Sequence, residues 1–237
     1  MTRRRWIADE YSEDRAALVG AHAEHLAVVL RVRAGQSFEI VTGEKARLGR
    51  VIAISPQRVE FALGEDLVAG VLPRINLLMA IYKFDRMEWA MEKCTELGVA
   101  RMIPVIARRT DPHLARAAVA RVDRWQRVVR QAAEQSRRTT TPTVDLPVKL
   151  ADIVNVPAPT RILLAESARE ITLKDALSHH SPGDELLLAL GPEGGWSDDE
   201  VVLFGRNGWV AATMGATILR AETAAVAATA IALAELS

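Results

Sequence analysis

The chain contains 237 residues, of which 49% are apolar, 25% charged and 5% aromatic. These proportions are those of an ordinary globular protein, and they exclude disordered, collagen-like and disulfide-rich chains. Basic and acidic residues number 30 each, and because the single cysteine excludes an internal disulfide, we expect a protein of a reducing compartment, the cytoplasm.

Neither end of the chain predicts a secretory signal or a membrane anchor. The basic start, residues 1–11, lacks a following apolar run. The most apolar later stretch, residues 221–236, is interrupted by Glu222 and Glu235. We therefore expect no signal peptide and no membrane partner.

Charge is distributed unevenly along the chain. Residues 101–150 carry 11 basic and 4 acidic side chains, whereas residues 151–237 carry 5 and 12. Arginine makes up 25 of the 30 basic residues, and its planar guanidinium pairs with phosphate and stacks on bases. The basic block indicates a nucleic-acid surface, and a solvated helix face is the alternative.

The first part of the chain predicts a small β-rich domain, residues 1–72. Three short β-like stretches between residues 38 and 63 alternate with glycine and proline breaks, which indicates an antiparallel sheet or barrel. Before them, residues 21–29 predict a short helix whose apolar side is formed by Ala21, Leu26 and Val29.

Residues 73–237 predict a second domain, in which strand-length apolar runs alternate with helical patterns. The predicted strands are residues 75–82, 101–106, 161–165, 185–190 and 209–213. The predicted helices are residues 86–97, 114–132, 197–208 and 222–236. Continuous apolar runs suit strands covered on both faces, so the alternation predicts an α/β domain with a mainly parallel sheet.

Two loops of this domain are candidates for chemistry. Residues 191–195 (GPEGG) follow a predicted strand and precede a capping box that starts at Ser197. Ligands of open α/β sheets bind at such strand ends, where glycine lets them approach the backbone; a structural turn is the alternative. The loop matches neither the dinucleotide fingerprint nor the P-loop pattern.

The second loop is residues 214–224, which also lie between a predicted strand and a predicted helix. Arg220 and Glu222 stand there among small residues, where a long charged side chain is costly unless it has a partner. A surface salt bridge is the alternative. Glu166 is a third charged group at a strand end. The histidines and Cys94 lack the spacing of metal ligands, so we expect no metal site.

Four segments resemble, in order and spacing, the family of ribosomal RNA small subunit methyltransferase E. They are residues 82–105, 124–144, 190–200 and 214–225, with a weaker match over residues 25–40. The resemblance implies transfer of a methyl group from S-adenosylmethionine to N3 of a uridine in 16S ribosomal RNA, either free or in the assembled small subunit. It also implies a SPOUT-type α/β domain with a trefoil knot, a preceding PUA-like β-barrel, and a homodimer.

The resemblance and the charge pattern together assign roles to individual residues. Arg220, Glu222 and Arg138 are the predicted catalytic residues, with Glu222 as the base or as the orienter of Arg220. The predicted cofactor-binding residues are Leu190, Gly191, Glu193, Gly194, Gly195, Met214, Ile218, Leu219, Ala165 and Glu166. The predicted RNA-binding residues are Arg31, Arg121, Arg124, Arg127 and Arg137. For Glu193, holding the loops together is the alternative role.

Three other functions remain open at this stage. A SPOUT-like protein could bind RNA without catalysis, or it could methylate another RNA nucleotide. A metabolic enzyme could bind a nucleotide at the same strand ends, although the missing dinucleotide fingerprint disfavours it.

Overall fold

The computed structural model describes residues 5–67, 72–181 and 183–236. The chain divides into two units, Met1–Val71 with Ala133–Thr141 and Leu72–Ala132 with Pro142–Ser237. The segment Ala133–Thr141 therefore groups with the first unit, whereas the sequence predicts a second domain that is continuous from residue 73. The division into two functional domains stays a prediction. No helix in the described ranges has the length and apolarity needed to cross a bilayer.

The first unit contains one six-stranded sheet. Its strands are β1 (Arg5–Ile7), β2 (Glu10–Tyr11), β3 (Arg15–Val19), β4 (Ser37–Thr42), β5 (Lys45–Ile54) and β6 (Arg58–Leu67). Their order is β1-β4-β5-β6-β3-β2, and among the described pairings only β1–β4 is parallel. The three predicted stretches form β4, β5 and β6, and their inward side chains, such as Ile40 and Phe61, pack with Trp6 in the core.

The short helix of this unit differs from its predicted form. Helix α1 (Gly20–Glu24) continues as a π-helical turn, His25–Val29. The predicted apolar side was wrong in two positions, because Ala21 and Val29 are exposed while Ala23 and Leu26 are buried. A π-helical turn bonds each residue to the fifth along the chain, which changes the side chains that share a face.

The second unit is an α/β fold. Its strands are β7 (Arg74–Ala80), β8 (Arg101–Ile106), β9 (Thr143–Val144), β10 (Val148–Lys149), β11 (Thr160–Leu164), β12 (Glu185–Leu190) and β13 (Val210–Ala212). The helices that follow α1 in the chain are α2 (Phe84–Glu96), α3 (Pro112–Ala117), α4 (Val122–Gln135), α5 (Leu150–Ile153), α6 (Leu173–Leu177), α7 (Asp198–Arg206) and α8 (Ala221–Leu236). The first residues of α4 belong to this unit and the last three to the first.

The sheet of the second unit is parallel in every described pairing. Its order is β10-β8-β7-β12-β11-β13, and β9 pairs with β8. Alternate residues of β7 enter two separate apolar clusters, Leu77 and Met79 in one and Leu78 and Ala80 in the other. The sheet is therefore covered on both faces, and the predicted mainly parallel α/β fold is confirmed.

Three of the four helices predicted for this unit are confirmed, whereas α5 and α6 were not predicted. Met87, Met91 and Cys94 of α2 are buried, as their spacing predicted. The long helix predicted over residues 114–132 is instead divided into α3, a 3-10 turn and α4. All strands of the sheet run in the same direction, so their carboxyl termini lie at the same end of the sheet. The segments that follow β8, β11, β12 and β13 begin at this end, which holds the candidate site.

Candidate functional site

A cavity of about 260 Å³ lies at the carboxyl ends of β11, β12 and β13. It is lined by residues that follow each of the three strands and by the start of α8. The lining includes nine of the ten predicted cofactor-binding residues: Ala165, Glu166, Leu190, Gly191, Glu193, Gly195, Met214, Ile218 and Leu219. Gly194 is not among the lining residues. This position in the sheet is the usual ligand site of parallel α/β folds.

One side of the cavity is formed by Gly191–Gly195, which we call the glycine loop. The Arg109 guanidinium holds it from the segment after β8, because Nη1 donates to the Gly194 carbonyl at 2.6 Å and to the Trp196 carbonyl at 3.2 Å. Gly195 has φ +68°, a left-handed conformation that glycine adopts without steric cost. Arg109 was missed by the sequence reasoning, since no local pattern marks a bond to a distant carbonyl.

A capping box anchors the end of the glycine loop to α7. The Ser197 side chain accepts from the Glu200 backbone, and Glu200 Oε2 accepts from the Ser197 N–H at 2.8 Å, as the sequence predicted. The other oxygen of this buried carboxylate accepts from the Arg108 backbone N–H at 2.7 Å. Through these hydrogen bonds, Glu200 connects the start of α7 to the segment after β8.

The Trp196 indole lies beside the glycine loop and lines the cavity. Its ring packs edge-to-face on Phe204 with a centroid distance of 4.9 Å. A Cβ atom at Gly191 would lie 3.2 Å from Trp196 Nε1, so a side chain at residue 191 would displace the indole. Trp196 Nε1 is buried and makes no hydrogen bond within the described part of the protein.

Another part of the cavity lining comes from the segment Met214–Arg220, which we call the apolar loop. Thr213 Oγ1 hydrogen-bonds to the backbone of Gly215, with both distances at 3.2 Å. From Ala216 to Leu219, the backbone makes no hydrogen bond to any residue that the structure describes. Ile218 is 78% exposed although it is apolar. The apolar loop is thus held by far fewer contacts than the glycine loop.

Arg86, in the first turn of α2, lies between two carboxylates at the carboxyl end of the sheet. Its Nη1 is 3.5 Å from Glu193 Oε1, and its Nε is 3.7 Å from Glu222 Oε1. Arg220 is exposed and makes no ion pair within the described ranges. Glu222 therefore pairs with Arg86, and the expected contact that would let it orient Arg220 is absent from the described structure. Its role as the base stays a prediction.

Two buried polar atoms near this ion pair lack hydrogen-bond partners among the described residues. They are the hydroxyl of Tyr82, two residues after the end of β7, and Glu222 Oε2. Burial raises the pKa of Tyr82, and Cys94, Glu222 and Glu193 raise it further, so the phenol stays protonated and can act only as a donor or neutral acceptor. A buried polar group without a partner is costly, and such groups are found at catalytic sites.

The predicted RNA-binding arginines of the second unit make contacts within the protein. Arg124 Nε donates to both oxygens of Glu88 at 2.8 Å, and Arg121 Nη1 lies 3.9 Å from the same carboxylate. Arg127 Nε donates to the Asp123 carbonyl at 3.3 Å. All three arginines are exposed. The Glu88 side chain is only 12% exposed, so its contacts with Arg121 and Arg124 are partly shielded from solvent, although both arginines face it.

The remaining predicted arginines lie in the first unit. Arg137 pairs with Glu39, and this contact, together with Arg5, holds the pKa of Glu39 below its ordinary value despite an opposing effect of burial. Burial lowers the pKa of Arg138 to about 10. Arg31 is exposed and has φ +50°. The catalytic role of Arg138 stays a prediction, and its guanidinium is largely withdrawn from solvent.

Sequence comparison identifies relatives over most of the chain. The family described as RNA methyltransferase domain matches residues 71–233. Ribosomal RNA small subunit methyltransferase E of Mycobacterium bovis is 33% identical over 228 residues, which cover 90% of this chain and 84% of the relative. The protein of the same name from Synechocystis is 30% identical over 223 residues, covering 91% of this chain and 72% of the relative.

Structural comparison also finds methyltransferases that cover almost the whole chain. The crystal structure of ribosomal RNA small subunit methyltransferase E from Neisseria gonorrhoeae, bound to S-adenosyl methionine, matches with a TM-score of 0.83 and 27% identity, covering 96% of this chain and 95% of that one. A putative methyltransferase from Legionella pneumophila, in complex with the same cofactor, matches with a TM-score of 0.86 and 26% identity over 99% and 98% of the two chains.

Proposed function

Because the chain belongs to the ribosomal RNA small subunit methyltransferase E family, we propose that it transfers a methyl group from S-adenosylmethionine to N3 of a uridine in 16S ribosomal RNA. The observation that carries this proposal is the cavity at the carboxyl ends of β11, β12 and β13. Two of the loops that line it lie within residues 190–200 and 214–225, segments in which the sequence resembles that family. The two relatives with solved structures bind this cofactor.

The residues of the cavity fit S-adenosylmethionine. Arg169 is the only basic side chain among the described lining residues, so a cofactor with several phosphates would lack counter-charges. Glu166 and Glu193 supply negative charge for a cofactor that carries a positive sulfonium and an ammonium group. The glycine loop offers close backbone approach, and the unpartnered Trp196 Nε1 offers a donor.

S-adenosylmethionine, when bound, supplies a methyl group activated by the positive charge on its sulfur. The protein's task is to hold the uracil ring in line with that methyl group and to remove the N3 proton. Glu222 accepts this proton at Oε2, the carboxylate oxygen that has no partner in the described structure. Arg220, which is exposed and unpaired there, donates to the ring oxygens as negative charge grows on them.

Substrate binding involves the basic residues identified from the sequence. Arg121, Arg124 and Arg127, whose side chains are exposed, bind phosphates of 16S ribosomal RNA. Arg31 and Arg137 extend this role to the first unit, which acts as a PUA-like RNA-binding barrel, and Arg138 contributes to catalysis. The support for these roles is the family membership and the charge pattern.

We also propose an oligomeric state and a cellular location for the enzyme. The enzyme works as a homodimer in the cytoplasm, with the methyltransferase domain closed by a trefoil knot. A second copy would have apolar surface to cover at the exposed Ile218 beside the cavity. Close packing by the alanine-rich α8 is also compatible with such an interface.

Titration calorimetry with S-adenosylmethionine, followed by mass mapping of 16S ribosomal RNA, tests the proposed function. We expect binding of one cofactor per chain, and one added methyl group at a uridine N3 when the protein is incubated with RNA or small subunits from a strain that lacks its gene. Cofactor binding with a methyl group on another nucleotide would support the other RNA specificity. RNA binding without cofactor binding would contradict the enzymatic function.

A further inference from the structure

We propose that Arg86 is a positioning residue of the methyl-transfer site, which fixes the Glu222 carboxylate and the glycine loop relative to each other. The inference rests on the proposed function and extends it to a residue outside the predicted catalytic and binding sets. Arg86 belongs to α2, Glu193 to the glycine loop and Glu222 to α8. One guanidinium therefore connects three separate elements of the second unit.

The geometry suits a planar guanidinium. Arg86 uses Nη1 for Glu193 at 3.5 Å and Nε for Glu222 at 3.7 Å. Two nitrogens in one fixed plane each lie near one carboxylate, an arrangement that the single ammonium of lysine cannot reproduce. Both distances exceed those of ordinary hydrogen bonds, so the pairs have room to shorten when a ligand enters, as catalytic contacts commonly do.

Arg86 also determines which oxygen of Glu222 remains for the substrate. Its contact takes Oε1, and Oε2 is left buried without a partner in the described structure. The Glu222 side chain is only 12% exposed, so water neutralises this charge poorly. A guanidinium on one oxygen holds the carboxylate in one orientation while the other oxygen awaits a proton from the substrate.

The position of Arg86 indicates an action through other residues. Neither Arg86 nor Glu222 is one of the described residues that line the cavity, whereas Glu193 and Ala221, the neighbour of Glu222, are. Partly exposed ion pairs contribute at most about 1 kcal/mol to stability, so removal of the guanidinium leaves the fold intact. The expected loss lies in the transfer step, because small displacements of reacting groups reduce rates far more than they reduce stability.

The test compares Arg86→Gln, Arg86→Lys, Glu222→Gln and the double variant Arg86→Gln/Glu222→Gln. We expect Arg86→Gln to lower kcat by about 10- to 100-fold with less than about threefold change in the cofactor KM. Lysine should restore part of the loss. The double variant should be no slower than Glu222→Gln, because Arg86 acts through that carboxylate.

A matched control is Arg101→Gln. Arg101 forms an ion pair with Asp145 at 2.5 Å. It lies at the amino end of β8, and therefore at the end of the parallel sheet opposite to the cavity. We expect wild-type kcat from this control. Amide hydrogen exchange gives a readout independent of activity: exchange at Gly194 and Gly195 should quicken in Arg86→Gln and stay unchanged in Arg101→Gln.

Two outcomes would overturn the inference. Losses that multiply in the double variant would show that Arg86 acts independently of Glu222. An unchanged rate of exchange in the glycine loop, with wild-type kcat, would show that the guanidinium positions nothing. A wild-type protein that binds no S-adenosylmethionine would instead overturn the proposed function, and the exchange measurement would still decide whether Arg86 holds the loop.

Discussion

The glycine loop and the apolar loop both line the cavity, but they are built in opposite ways. The glycine loop is held by Arg109, by the capping box at Ser197 and by the edge-to-face packing of Trp196. The apolar loop has one turn fastened by Thr213, and it leaves Ile218 exposed to solvent. One side of the site is thus formed before any ligand arrives, whereas the other has few internal contacts to determine its conformation.

This difference indicates that the two loops have different roles in ligand binding. A preformed side gives the cofactor a fixed backbone surface without a cost of ordering at the moment of binding. A side with few contacts can close over the ligand afterwards, and loops that move on binding are drawn from the least stable parts of a fold. We therefore expect substitutions in the glycine loop to affect ligand binding more strongly than substitutions in the apolar loop.

The largest expected effect is that of Gly195→Val. A Cβ atom at residue 195 would meet no atom closer than 3.9 Å, so the obstacle is the φ of +68° and the valine methyl groups at the cavity. We expect S-adenosylmethionine affinity to fall by more than about 100-fold, because the strain of about 1–3 kcal/mol would shift the loop.

Gly205→Val is the matched control for that substitution. Gly205 lies in α7, where an added Cβ has no heavy atom within 4 Å. Calorimetry and thermal unfolding on the same preparations decide the result. A lower Tm with unchanged affinity in Gly195→Val would mean that the glycine loop is only a structural turn.

Arg109→Gln should have a smaller effect. It removes the bonds to the carbonyls of Gly194 and Trp196, and hydrogen bonds from charged donors are worth about 1.5–3 kcal/mol. We expect about a tenfold loss of cofactor affinity, measured by calorimetry. The neighbouring Arg108→Gln is the control, because it loses only an exposed pair with Asp199 and keeps its backbone bond to Glu200. Equal losses in both variants would contradict the assigned role of Arg109.

The smallest effect is expected from Ile218→Ser in the apolar loop. Since Ile218 is 78% exposed, the free energy of unfolding should change by no more than about 0.5 kcal/mol. Cofactor affinity should nevertheless fall by about three- to tenfold, because the loop loses apolar surface that it places over the ligand. Unchanged affinity, with light scattering showing an unchanged mass, would mean that this loop covers neither ligand nor partner.

Much of this site could be predicted from sequence because its signals are local. The apolar runs predicted β8 and β12 with the observed bounds, and the Ser197 capping box predicted the start of α7. Glycines and small residues after strands located both loops of the cavity. These features depend on neighbouring residues, whose spacing can be read directly from the chain.

The rest depended on contacts between distant parts of the chain. Arg109 donates a hydrogen bond to the backbone carbonyl of a residue 85 positions away. Every residue has such a carbonyl, so the sequence does not indicate which one accepts the bond. Arg86 has partners on two other elements, so its own helix pattern shows only an exposed charge. Strands such as β2 and β10 contain two residues each, which is too short to show a period of two. The side chains facing inward from α1 were misassigned because the following π-helical turn changes the helical period.

The segment Ala133–Thr141 has a consequence for how the protein folds during synthesis. It groups with Met1–Val71, and it carries Arg137, whose guanidinium pairs with Glu39 of β4. Translation proceeds at about 5–20 residues per second, so roughly 4–14 seconds separate the synthesis of residue 71 from that of residue 141. The amino-terminal unit is thus complete only after more than half of the chain has been synthesised. A fragment ending at residue 72 would lack the segment Ala133–Thr141, which groups with this unit.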